Sequence, residues 1–366
     1  MKKILLGTSA IVLAGAVASP AFSAEWDVKV GGYMEQFVAY GSTDCDFCGV
    51  GASFDGDYDG IDIKEDSEIH FSPSITLDNG LKFQARIELE GRTTGDQIDE
   101  TYLRIMGSFG EVRIGEDDQV SYNMAYAAPD VTFFNINSGS DTKWYGGSLL
   151  TAFTTTYPAI AADPQGISYY SPRMAGFQVG VSYARDSLRA SNQAQQDHDL
   201  VTTTRLDDPW AVAANYVNSF GDFNVAVSGG YAAGSDATGA DSTAWSAGLN
   251  VGFSGFTVGG SYAEWDVDDT FGGPSYASGS NTTWDAGVSY ETGPWGFSFT
   301  YIAMDDDVTG IDFEIDKYLL GVNYDLATGV RLNAFATYAD ASGGIPGEGS
   351  INEDGFVIGT GVRVDF

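Results

Sequence analysis

The sequence predicts an all-β fold: a sixteen-stranded antiparallel transmembrane β-barrel with a long third loop folded into its lumen. Three observations predict it. Short turns and long polar segments alternate along residues 25–366. The strands between them set apolar side chains on one face and polar ones on the other. The apolar faces carry aromatic residues near both ends, as membrane-crossing strands do at the two interfaces.

The chain begins Met1-Lys2-Lys3, runs apolar from Ile4 to Ala18 and reaches a small-residue stretch, Ser19 to Ala24. This is the pattern of a secretory signal over residues 1–24, with the mature protein expected to start at Ala24 or Glu25. No later run of about 18 apolar residues follows, so no spanning helix is expected. Loss of Lys2 and Lys3 with the signal leaves 15 of the 17 Lys and Arg against 51 Asp and Glu, a mature charge of −36. Nucleic acid is excluded as a partner, because phosphates would be repelled. The 47 glycines, 20 tyrosines and 22 phenylalanines suit many short aromatic-edged strands rather than a helical enzyme.

Tight turns are expected at 78–80, 107–110, 174–176, 220–222, 254–255, 293–294 and 328–329, each supplying Gly, Pro, Asn or Asp. Longer polar segments fall near 41–66, 91–97, 117–166, 186–208, 233–243, 265–281, 304–312 and 340–354. Seven short turns and eight long segments give sixteen strands with both termini on the short-turn side. After Asn79, Leu81, Phe83, Ala85, Ile87 and Leu89 share one face, and Lys82, Gln84, Arg86, Glu88 and Glu90 the other. That alternation fits a sandwich as well as a barrel. The aromatic pairs decide between them: Phe177 and Tyr183, Trp210 and Tyr216, Trp284 and Tyr290, Trp295 and Tyr301, Tyr318 and Tyr324. Six residues span roughly 20 Å of strand, about the height of a tilted apolar band.

Cys45 and Cys48 are the only cysteines and, in an exported chain, are expected to form a structural disulfide. Asp55, Asp57 and Asp59 alternate ahead of Gly60, as carboxylates do in calcium loops; a solvated acidic loop is the alternative. No other cofactor is required. His70 and Ser72 share a strand face, similar to the His-x-Ser pair of outer-membrane phospholipases, but they look into the lumen and lack a lipid-side base, so no enzyme is expected.

The closing strand sets Phe356, Ile358, Val362, Val364 and Phe366 on one face and Gly359, Gly361, Arg363 and Asp365 on the other. With the signal and the opening strand Trp26 to Tyr33, it resembles the trimeric Gram-negative general porins, closest to the alphaproteobacterial type. The resemblance covers the whole mature chain. It implies a homotrimer in the outer membrane, joined through the outward faces of the first and last strands, amid lipid and lipopolysaccharide. It also implies passive passage of ions and small hydrophilic solutes. The terminal strand would be read by the barrel-insertion machinery through Val362, Val364 and Phe366, with Thr360 departing from the usual apolar choice.

The same resemblance places residues 117–166 inside the barrel as the pore constriction. Arg86, Arg104 and Arg113 on the lumenal wall would oppose Glu116, Asp117, Asp118 and Asp130, setting up a transverse field. Pairing of the arginines with Glu88, Glu90, Glu100 and Glu111 on their own wall is the other reading. Phe133, Phe134, Trp144, Tyr145 and Phe153 are expected to pack the loop against the wall. The acidic balance predicts weak cation preference. A substrate-specific channel and a non-conducting adhesion or structural barrel are the alternatives.

Overall fold

The computed structural model describes residues 25–45, 56–91, 97–146, 149–187, 206–236, 241–267, 279–308, 311–345 and 349–366. The signal sequence, Asp55 and Cys48, and the side chains of Cys45 and Asp57, lie outside the described set, and with them the expected disulfide and calcium loop.

Sixteen strands close on themselves. They are β1 (Asp27–Cys45), β2 (Gly56–Thr76), β3 (Lys82–Glu90), β4 (Ile98–Gly107), β5 (Gly110–Glu116), β6 (Gln165–Tyr170), β7 (Phe177–Ala184) and β8 (Leu206–Phe220). The second half comprises β9 (Phe223–Asp236), β10 (Asp241–Phe253), β11 (Phe256–Val267), β12 (Gly279–Thr292), β13 (Trp295–Val308), β14 (Ile311–Ala327), β15 (Val330–Ile345) and β16 (Gly349–Asp365). Each pairs antiparallel with its sequence neighbours, and β1 closes the ring on β16 in a register from Tyr33↔Asp365 to Cys45↔Glu353. Closure leaves no unpaired edge, which is what lets strands cross hydrocarbon. At the seam the Gly32 and Phe366 backbones exchange both hydrogen bonds, at 3.0 and 3.1 Å. The Phe366 ring itself points outward and is exposed.

The apolar outer face is open. Val181, Phe297, Phe299 and Leu320 are all exposed, and no second layer covers them among the described residues. Its long-loop rim is marked by Trp284 meeting Tyr301 edge-on at 4.9 Å, and Tyr301 meets Tyr318 at the same distance. Its short-turn rim is marked by Phe177 with Tyr216 at 4.5 Å, Phe256 with Tyr290 at 4.3 Å and Trp295 with Tyr324 at 4.6 Å. Neighbouring strands carry these aromatics at the same level, so the rings meet across strands at the two rims.

Four of the segments expected as loops, 41–66, 233–243, 304–312 and 340–354, are mostly strand. β1 and β2 stay in register up to Cys45↔Gly56, β13 and β14 up to Val308↔Ile311, and β15 and β16 up to Ile345↔Gly349. The reason is solvent: above the apolar band both faces meet water, so a ladder can continue with Asp, Ser and Gly outside. Polarity there signals height above the membrane rather than a chain break. By contrast β3 to β7 have only 6 to 10 residues each, so the wall is low on that side.

The lumen and its long third loop

The loop between β5 and β6 covers 117–164; Gln165 and Gly166, expected within it, already belong to β6. It enters the barrel and runs along the inner wall rather than across the opening. A helical turn, α1 (Val120–Asn123), seats against β7 to β9, and the chain then follows the wall to β16. Its backbone is held by one lumenal polar side chain after another. The Val120 amide donates to Ser182 at 3.3 Å, Tyr126 to Ser228 at 2.8 Å and Ala128 to Asp285 at 3.0 Å. The Met124 and Ala127 carbonyls accept from Asn215 and Asn250 at 3.2 and 3.0 Å, and Thr300 donates to the Pro129 carbonyl at 3.1 Å. An irregular loop offers few partners of its own for its amides and carbonyls, so the wall supplies them. Small wall residues make the approach close: a Cβ on Gly248 would lie 1.8 Å from the Tyr126 carbonyl oxygen.

Beyond Thr132 the loop builds an apolar core inside the barrel. Phe134 stacks on Phe335 of β15 at 4.0 Å, and Phe37 of β1 meets Phe133, Trp144 and Phe335 edge-on or tilted. Inward Ile302, Met304, Ile315 and Leu319 close around them. Within this core Lys317 of β14 meets Asp141 at 2.7 Å, both side chains 0 % exposed. Nearby, buried Glu353 accepts from the Leu149 and Leu150 amides at 2.8 and 3.1 Å. Asp285 also accepts from Asn137 at 2.5 Å, and Asn137 accepts from the Thr156 amide at 2.7 Å, tying the outgoing limb of the loop to the returning one.

The opposite wall, β2 to β5, carries charge, and β2 meets the edge of the loop core through Lys64, 5.0 Å over the Trp144 ring. Arg104 makes a two-pronged pair with Glu111 at 2.7 Å for each prong. Arg113 bonds Glu111 at 2.7 Å and Asp117 at 2.9 Å, sandwiched between Tyr102 and Tyr170. Arg86 pairs with Glu88 and donates to Ser72 at 3.3 Å. Glu88 and Glu111 of the same wall pair the arginines, and of the expected loop acids Asp117 bonds one of them, Arg113. His70 bonds Glu68 at 2.7 Å, so His70 and Ser72 engage different partners rather than one another.

Two expected constriction acids sit elsewhere. Glu116 falls on the outward parity of β5, with Val112 and Ile114. Asp130 is turned to the far wall, accepting from Ser298 at 3.0 Å and from the Thr132 amide at 2.9 Å. Burial raises the Asp130 carboxyl to about 6 despite these bonds. At the loop root Asp117 is likewise raised by burial, to about 6, with Arg113 opposing. Asp118 is raised further, to about 9, by burial and by the neighbouring Asp163 and Glu100. Those last three carboxylates bring oxygens within 4.8 Å of one another. They line a cleft of about 640 Å³ that reaches from β4 across to Trp265 of β11 and Asn281 of β12. Phe153, expected to pack the loop, is 60 % exposed in that cleft instead.

Sequence reasoning missed the Lys317–Asp141 pair, the role of Glu353 and the grouping of Glu100 with Asp118 and Asp163. A signal existed for the first: the runs Tyr301 to Met304 and Tyr318 to Leu320 are apolar on both faces, which marks a strand buried on both sides.

The model of a family described as Gram-negative porin matches residues 8–344. The outer membrane porin protein 32 of Delftia acidovorans is 28% identical over 200 residues, 51% of this chain and 52% of that protein, so the match spans about half the length of this curated relative. Among solved structures, the anion-selective porin from Comamonas acidovorans superposes with a TM-score of 0.60 at 17% identity, covering 93% of this chain and 100% of that one. The outer membrane channel DcaP of Acinetobacter baumannii gives a TM-score of 0.60 at 14% identity over 93% and 97% of the two chains. At such identities the two structures speak for the fold alone.

Proposed function

Because the chain belongs to the Gram-negative porins, and so resides in the outer membrane, we propose that it is a general diffusion channel for ions and small hydrophilic solutes. The observation that carries this reading is the division of the lumen. The loop is packed against the β7 to β1 side of the lumen, its root is bonded to Arg113, and paired charges line the β2 to β5 wall. An apolar band outside and paired charges inside are what a water-filled pore in lipid requires.

Weak cation preference belongs to the same reading. The 51 Asp and Glu outnumber the 17 Lys and Arg, and the three wall arginines are already paired with acids. A neighbour in fold carries the description anion-selective, so sign is the discriminating measurement. The assembly is read as a homotrimer joined through the outer faces of β1 and β16, surrounded by lipid and lipopolysaccharide. Val362, Val364 and Phe366 serve as the insertion signal.

Planar-bilayer recording tests the proposal. Stepwise conductance in KCl, in groups of three, with a reversal potential of cationic sign across a low-salt gradient, is the expected result. Absence of steps would leave a non-conducting barrel, and an anionic reversal potential would remove the selectivity. Salt should weaken the preference, since the Debye length shrinks from about 10 Å at 0.1 M to about 3 Å at 1 M.

A further inference from the structure

The cleft at the long-loop mouth pairs two features that the passage of simple ions does not need together. On one side Glu100 of β4, Asp118 and Asp163 hold their carboxylates within 4.8 Å of one another. The other side is aromatic. Tyr122 and Tyr157 meet at 5.0 Å with their rings tilted by 47°, and the Phe153 ring lies over the backbone of Gly139 with its remaining surface in the open. Phe153 lies outside the buried core that the loop forms with Phe134, Ile136, Trp144, Tyr145, Leu149 and Leu150.

Carboxylates attract positive charge, and the negative faces of aromatic rings attract it again while stacking on an apolar or planar body. Among the described residues of this wall, Arg86, Arg104 and Arg113 are held by Glu88, Glu111 and Asp117. A cleft of about 640 Å³ is the size of small-molecule sites generally.

We propose that this cleft is a binding site for small organic cations, solutes that join an amidinium or ammonium group to a flat or short alkyl body. The charged end sits among Glu100, Asp118 and Asp163, and the body lies against Phe153, Tyr122 and Tyr157. Such solutes would dwell in the channel instead of diffusing freely. The proposal rests on the porin reading for its consequence in transport but not for binding itself. It also predicts proton release. The raised Asp118 carboxyl, faced by Glu100, Asp163, Asp117 and the Tyr122 hydroxyl, ionises when a cation arrives beside it.

The test compares benzamidine with benzamide, a neutral molecule of the same shape, on the folded full-length protein. In a bilayer at pH 8 and low salt, benzamidine should interrupt the KCl current in a concentration-dependent way and benzamide should not. Asp118→Asn with Asp163→Asn should weaken the block by about 10-fold or more, as expected for lost charge-assisted contacts. Phe153→Ala, at an exposed position, should weaken it by about 2- to 5-fold. Equilibrium dialysis of labelled benzamidine reads the same site without current. If KCl steps are normal but benzamidine neither blocks nor binds, the site is overturned and the porin reading stands. If no steps occur yet benzamidine binds and the double variant does not bind it, the site stands and the porin reading falls. Equal effects of benzamide, or undiminished binding by the double variant, would overturn the site, as would calcium chloride binding there with no displacement by benzamidine.

Discussion

The two flanks of the lumen are built on different physics. From β13 through β16 to β1 the inward residues are Ile302, Met304, Ile315, Leu319, Phe335 and Phe37, buried under the loop like the core of a soluble domain. From β2 to β5 the inward residues are Glu68, His70, Arg86, Arg104 and Arg113, half-buried and linked by ion pairs. One flank immobilises the loop, and the other borders the passage. Substitutions on the first should therefore register as stability, and on the second as selectivity.

The sharpest way to break this division is Lys317→Met. It would strand the Asp141 carboxylate in a dry site, and removing one partner of a buried pair costs about 3–5 kcal/mol. The unfolding midpoint should fall, and the loop should become open to protease between Gly139 and Gly146. Adding Asp141→Leu should restore most of the loss, because an apolar pair of similar volume is a sound replacement there. If Lys317→Met unfolds no earlier than wild type, the pair does not hold the loop.

Gly248→Val asks whether contact with the wall alone keeps the loop out of the passage. Its side chain would meet the Tyr126 carbonyl, a backbone atom that cannot rotate away, with overpacking costs of about 1–3 kcal/mol. Conductance should drop as the loop is pushed inward. Gly229→Ala, where a Cβ meets nothing closer than 3.7 Å, should leave conductance unchanged. Similar conductance in both variants would mean the loop does not depend on close seating.

How much of this was legible in the sequence follows from the same contrast. The strand number, the outward faces and the aromatic belts were readable because lipid imposes a period of two on every strand from Phe177 to Phe366. The lumenal wall obeys no such single solvent. Ser182, Asn215, Asp285, Ser298 and Thr300 could be placed inside by parity, yet nothing local says that they bond a loop more than fifty positions away. Asp130 looked like a pore acid because it follows a proline in a turn. Its partner Ser298, 168 residues on, decides otherwise. Phe153 resembles Phe134 in sequence and differs only in what the fold sets beside it.

On the open flank, Arg86→Gln with Arg104→Gln should cost about 1–2 kcal/mol for each half-buried pair, less than the loss of the dry Lys317–Asp141 pair. The same change should raise the potassium-to-chloride permeability ratio by about two-fold, since Glu88 would lose its arginine and Glu111 would keep only Arg113. A large fall in stability with no change in the ratio would show that the flanks are not functionally distinct.

The smallest expected effect is that of pH, and its sign separates the loop root from the wall. Asp117 is raised by burial to about 6 and Asp118, by burial and the adjacent Asp163 and Glu100, to about 9. A carboxyl with a raised pKa is neutral below that value and negative above it. Moving from pH 5 to pH 7.5 therefore ionises Asp117, and moving on toward pH 10 ionises Asp118. Each step adds negative charge at the loop root, so the permeability ratio should climb with pH in two stages rather than fall. Both stages should be gentle, because Arg113 already answers Asp117 at 2.9 Å and salt screens what remains. In Asp118→Asn with Glu100→Gln the stage above pH 8 should vanish while the one near pH 6 persists. A ratio that declines as pH rises, or an upper stage that survives both substitutions, would place the titrating groups away from the loop root.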